Sequence, residues 1–150
     1  MLASTRADDG GFVAGTEQAL YLRTAGEQAP VLRLGWEVIE RAGWDKETEQ
    51  LTVVEVTDFG QPEPVHRIAL TDSHLLLDLI RERITASIVA RRRVEVSRIS
   101  GLTAVARRSP TRTGDISVAF VLDKGLDPND DAVTEAVERA TAALRDDLGM

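Results

Sequence analysis

Residues 34–45, LGWEVIERAGWD, decide how the chain is read, and they hold both of its tryptophans, Trp36 and Trp44. Every second residue from Leu32 gives Leu32, Leu34, Trp36, Val38, Glu40, Ala42 and Trp44, a mostly apolar set. The intervening set, Val31, Arg33, Gly35, Glu37, Ile39, Arg41 and Gly43, is mostly polar. This is the period-two pattern of a half-buried strand. Ile39 and Glu40 break the phase, and one residue of slip exchanges the faces of a strand. The pattern therefore predicts two short strands meeting at a bulge or corner near residues 36–39. A buried indole brings on the order of 200 Å² of contact area, so both tryptophans are expected in the core.

Working outward, the polar run 46–50 leads to a strand over 51–56. Upstream, residues 12–15 and 19–23 read as strands joined by the turn Thr16-Glu17-Gln18. A loop forms around Gly26, and Pro30 opens a strand over 31–35. Downstream, GQPEP (residues 60–64) is a loop by composition, and 65–70 alternates with His66, Ile68 and Leu70 on one side. Six strands at this spacing suit an antiparallel roll or barrel.

The period then changes. Leu76, Leu77, Ile80, Ile84 and Ile88 recur at three- and four-residue steps, predicting a helix from about residue 73 to at least 83. Thr71, Asp72 or Ser73 can cap it, while Thr85, Ser87, Ile88 and Val89 suit a strand equally well and leave its end open. Strands are expected over 93–98, 102–107 and 116–122, the last apolar on both faces and so placed centrally in its sheet. SPTRTG (residues 109–114) is a turn-rich connection. Asp127-Pro128 offers a cap and first residue for a final helix, with Val133, Ala136, Val137, Ala140, Leu144 and Leu148 as its buried stripe and Gly149 at its end.

The expected fold class is α+β: an antiparallel β-roll capped by a helix, extended by a β-β-β-α unit with a C-terminal helix. The expected divisions are a disordered terminus over residues 1–10, the roll and helix over 11–90, and the extension over 91–150 packed on the same core.

Composition narrows the function classes. The 150 residues are 43% hydrophobic, enough for a core. There is no cysteine, which excludes disulfides, thiolate zinc sites and a cysteine nucleophile and fits a cytoplasmic protein. Residues 1–9 lack the basic start and apolar run of a secretory signal, and no apolar run is long enough to span a membrane.

The net charge of −7 is unevenly spread. Residues 1–80 carry 6 basic and 14 acidic side chains, a net of −8; residues 81–112 carry 9 and 2, a net of +7; residues 113–150 carry 3 and 9, a net of −6. Arginine's planar fork suits phosphate and carboxylate, so Arg91, Arg92, Arg93, Arg107 and Arg108 are the candidate anion-binding residues, with Arg81, Arg83, Arg98 and Arg112 in the same zone. The competing reading is pairing within the chain, with Glu135, Glu138, Asp146 and Asp147 of the last helix as partners. The zone has no aromatic residue on which a single-stranded nucleic acid would stack.

No catalytic constellation stands out. Asp72, Ser73 and His74 are adjacent, but a triad is a spatial arrangement and adjacency does not signal one. His66 falls on the apolar side of its strand, as a core or rim histidine. Two histidines without cysteine leave a zinc site short of ligands. Glu37, Glu40 and Asp45 flank the tryptophans and read as exposed strand carboxylates before an acid–base pair. No glycine-rich phosphate loop or nucleophile elbow is present. No catalytic residue, cofactor or metal is expected.

The succession GFVAGTEQALYLR, VLRLGWEVIERAGWD and LTVVEV resembles the opening of bacterial pleckstrin-homology-like (PH-like) and GRAM-like domains. The units that carry the likeness are Thr16 with residues 20–22, and the corner 36–39. It covers residues 11–89, with the helix after Ser73 closing the roll. Gly125-Leu126-Asp127-Pro128 before the last helix is also similar to a segment of small uncharacterised proteins of high-GC Gram-positive bacteria. The resemblance implies a binding or scaffolding role and carries over no catalytic residue. The expected function is therefore a non-enzymatic cytoplasmic interaction module that binds a protein partner or itself. The alternative is binding of an anion (nucleic acid backbone, phosphorylated ligand or acidic lipid head group) through the arginines of 81–112.

Overall fold

The computed structural model describes residues 2–6, 10–24, 26, 28–70 and 74–149. Among the described residues the chain is α+β, with three antiparallel sheets and two helices. It divides into two compact units, residues 1–56, 63–87 and 109–113 in one and residues 57–62, 88–108 and 114–150 in the other.

The first unit opens with β1 (Ala3–Arg6), β2 (Phe12–Gly15), β3 (Ala19–Arg23) and β4 (Leu32–Gly35), hydrogen-bonded in that order. β1 lies inside the segment expected to be disordered and pairs Ala3 with Gly15 and Arg6 with Phe12. Thr16 closes the β2–β3 turn, its Oγ1 accepting the Ala19 backbone N–H at 3.1 Å.

After β4 the chain makes a single 3-10 turn, Trp36–Val38, and enters β5 (Ile39–Asp45), whose register slips between Ile39 and Arg41. The broken phase at Ile39 and Glu40 marks this corner. β6 (Gln50–Glu55) and β7 (Val65–Ala69) complete a second sheet in the order β5-β6-β7. Helix α1 (His74–Ser87) follows. The proposed caps Thr71, Asp72 and Ser73 lie outside the described residues.

The core of this unit gathers Val13, Leu20, Leu22, Leu34, Trp36, Ile39, Leu51, Val53 and Ile68 from the strands, Leu70 from just beyond β7, and Leu76, Ile80 and Ile84 from α1. Trp36 is fully buried, and its Nε1–H donates to the Thr16 carbonyl at 2.8 Å. Trp44 is half-buried against the same cluster.

The second unit contains β8 (Ile88–Glu95), β9 (Gly101–Arg107), β10 (Ser117–Leu122) and α2 (Asp131–Leu148), with sheet order β10-β9-β8. Three expectations need correction. β8 runs from Ile88, directly after α1, to Glu95, where a strand was expected over 93–98, so Arg91, Arg92 and Arg93 all lie within it. β10 is an edge strand, because β9 takes the middle position. The cap of α2 is Asp130, whose carboxylate accepts the Ala132 N–H at 3.0 Å, while Asp127 accepts the Asn129 N–H at 2.9 Å in the preceding turn. Gly149 ends α2 in the left-handed conformation, φ 73°. Leu102, Ala104 and Ala106 of β9 pack with Val133, Ala136, Ala140 and Leu144 of α2. Phe59 meets Phe120 edge to face, with centroids 6.1 Å apart. Among the described residues no helix is long and apolar enough to cross a membrane.

Candidate functional site

The five arginines singled out from sequence occupy different surroundings. Arg91, Arg92 and Arg93 are consecutive exposed residues of β8, and strand alternation puts Arg91 and Arg93 on one face and Arg92 on the other. Arg92 shares its face with Ala90 and Val94, the side toward α2, and its Nη1 reaches the Asp147 carboxylate at 3.2 Å. Asp147 is one of the four helix acids considered as a partner. Arg93 donates to Asp123 at 2.7 Å and to Glu95 at 3.3 Å. The hydrogen bond to Arg93, with a second from the Gly101 N–H at 2.9 Å, holds the Asp123 carboxyl down to about 2, and the same pair raises Arg93 above its ordinary value. Arg107 is buried in β9, and Arg108 donates from Nε to the Gly114 carbonyl at 3.0 Å.

The other candidates are structural in their surroundings. His66 Nε2 sits 2.6 Å from Glu55 Oε2, at the rim of the apolar face formed by Leu51, Val53 and Ile68. Asp72 and Ser73 lie outside the described residues, as does the side chain of His74. Asp45 accepts the N–H groups of Glu47 and Thr48, and the Thr48 and Glu47 backbone bonds lower its pKa. Glu40 pairs with Arg41, and the Glu37 carboxylate folds over Gly35. No group of three or more His, Asp or Glu positioned for a metal ion occurs among the described residues.

Two features come forward that sequence reasoning did not find. The first is β10, SVAFVL, an edge strand without a charge or a proline, with Val118 and Val121 exposed at 38% and 36%. Among the described residues, no strand pairs with its free side.

The second is the outer face of the β1–β4 sheet. Register aligns Ser4, Ala14, Tyr21 and Arg33 in one row and Arg6, Phe12 and Arg23 in the next. The Arg23 guanidinium lies 4.9 Å above the Phe12 ring, and its Nε donates to the Gly10 carbonyl at 2.9 Å. Arg33 Nε donates to Tyr21 Oη at 3.3 Å. Ser4, Thr5, Arg6, Phe12, Ala14 and Arg23 line an open cavity of about 320 Å³, and none of the six is acidic. The sequence signal was there, as Arg or an aromatic at 6, 12, 21, 23 and 33. It was hidden by the net negative charge of the surrounding residues.

Comparison with known proteins gives no match: no family model, no curated protein and no solved structure matches the chain.

Proposed function

We propose that the chain is a non-enzymatic interaction module, built on a PH-like roll, that pairs with a second copy of itself along β10. The roll is supported by its order of elements: four strands in sequence, a corner, three strands in sequence, then a helix whose Leu76, Ile80 and Ile84 enter the same core. The single observation that carries the association is β10 itself. Edge strands are normally protected by charge, proline or short length, and this six-residue strand has no charge or proline. It has the composition of a strand flanked on both sides, which is why the sequence placed it centrally.

A two-fold axis normal to the sheet at Phe120 sets Val118 against Leu122 and Ala119 against Val121, with no like charges opposed. β8 is the poorer surface for a second copy, since self-pairing would bring Arg91, Arg92 and Arg93 against their equivalents. Sedimentation of the purified chain tests the reading. The wild type is expected to form a dimer, and V118K/V121K a folded monomer. A wild type that stays monomeric at high concentration, or a dimer indifferent to both lysines, would refute it.

A further inference from the structure

We propose that the outer face of the β1–β4 sheet binds single-stranded nucleic acid, with bases stacking on Phe12 and Tyr21 and phosphates held by Arg6, Arg23 and Arg33. This site uses none of the β10 residues and does not depend on self-association.

Three properties of the face support the assignment. Its aromatics stand on the two central strands, β2 and β3, and the arginines flank them on β1, β3 and β4. A positive groove with aromatic platforms is the general means of holding a single strand without reading its sequence, because every base has a π-face and every nucleotide a phosphate. The two rows are two strand residues apart, about 7 Å. Bases stacked as in a duplex repeat at about 3.4 Å, so the rows suit splayed, unstacked bases. The cavity lined by Ser4, Arg6, Phe12 and Arg23 supplies room for one nucleotide beside the two arginines.

The Arg23 guanidinium, held by its bond to Gly10, already covers one face of the Phe12 ring, so a base stacks on the other face or displaces it. The whole chain is acidic at −7, so attraction depends on these local arginines and weakens sharply as salt screens it.

Fluorescence anisotropy with a labelled single-stranded RNA and the matching DNA, each of about twelve nucleotides, tests the proposal on the full chain. Both are expected to bind. With three phosphate contacts at about 0.7 each, affinity should fall about twentyfold between about 50 and about 200 mM salt. R6E/R33E is expected to abolish binding, Tyr21→Leu to weaken it about tenfold, and R91E to leave it unchanged. Arg6 and Arg33 are exposed, so the charge-reversed variant should keep the wild-type melting curve. A matching melt with lost binding supports the site. Three outcomes would overturn it: no binding at low salt, binding indifferent to R6E/R33E, or capture of phosphatidylserine vesicles without any oligonucleotide binding. An affinity for duplex equal to that for the single strand would overturn it as well.

Discussion

At the residue scale, Asp123 fastens the β10-β9-β8 sheet across its three strands. It stands just after β10, accepts from Arg93 of β8, and accepts from the Gly101 N–H of β9. Its ordinary value of 3.8 is lowered to about 2 in the folded chain. A depressed carboxyl contributes stability that is present above its unfolded value and is lost as pH falls through its folded value. D123N should therefore melt below the wild type at neutral pH, and the gap should close as pH drops from about 4 toward about 2. A gap that stays constant across that range would mean the carboxylate charge is irrelevant. Gly101 is constrained at the same point, since an added Cβ would lie 2.6 Å from the Val94 carbonyl oxygen. In the first unit, Trp36→Phe leaves the Thr16 carbonyl without its indole donor and opens space in a closed core. Denaturant unfolding should show a loss of about 2 kcal/mol. Trp36 was legible because its neighbours alternate around it. Asp147, which Arg92 meets, was among the helix acids considered from sequence; the Arg93 partner, Asp123, was not, because it lies far along the chain.

Elements were legible in proportion to how far local pattern alone determines them. β2 and β3 match the expected bounds, 12–15 and 19–23, because a turn residue with a capping hydroxyl separates two alternating runs. α1 was legible by its apolar stripe but not by its end. Ser87 and Ile88 are neighbours in different elements, and Thr85, Ile88 and Val89 are acceptable to both. In α2 the proline at 128 drew the expected start too early, since Asp127 builds a turn of its own before Asp130 caps the helix. Asp130→Ala should cost about 1 kcal/mol, while Asp127→Ala, which caps no helix, should cost less. Thermal melts of the two variants check the order, and the reverse order would return the cap to Asp127. β10 was misplaced for a different reason. Periodicity reports how apolar a strand's two faces are, and it is blind to whether both of its edges are paired.

At the scale of the whole molecule, the charge blocks counted along the sequence do not become charge blocks in space. The 1–80 segment, net −8, supplies the arginines of the β1–β4 outer face, while two arginines of the basic zone meet carboxylates of the third segment. Alternation sorts side chains by face, so a sequence average over a strand mixes two surfaces. The division into units also departs from a simple cut of the chain, which passes between them five times. The two cores nevertheless segregate almost completely by sequence. Every member of the first cluster lies between Ala3 and Ile84. The second cluster lies beyond residue 88 except for Phe59, whose ring packs on Phe120. A fragment of residues 1–87 therefore carries a whole core and should fold by itself. Its Trp36 should stay shielded from acrylamide and its melt should be cooperative. A fragment of residues 88–150 carries about 60 residues, near the lower limit for an independent core, and lacks the Phe59 ring. It should melt without a clear transition. The reverse outcome, with Trp36 open to quencher in 1–87, would show that the first core needs residues beyond 87 to close.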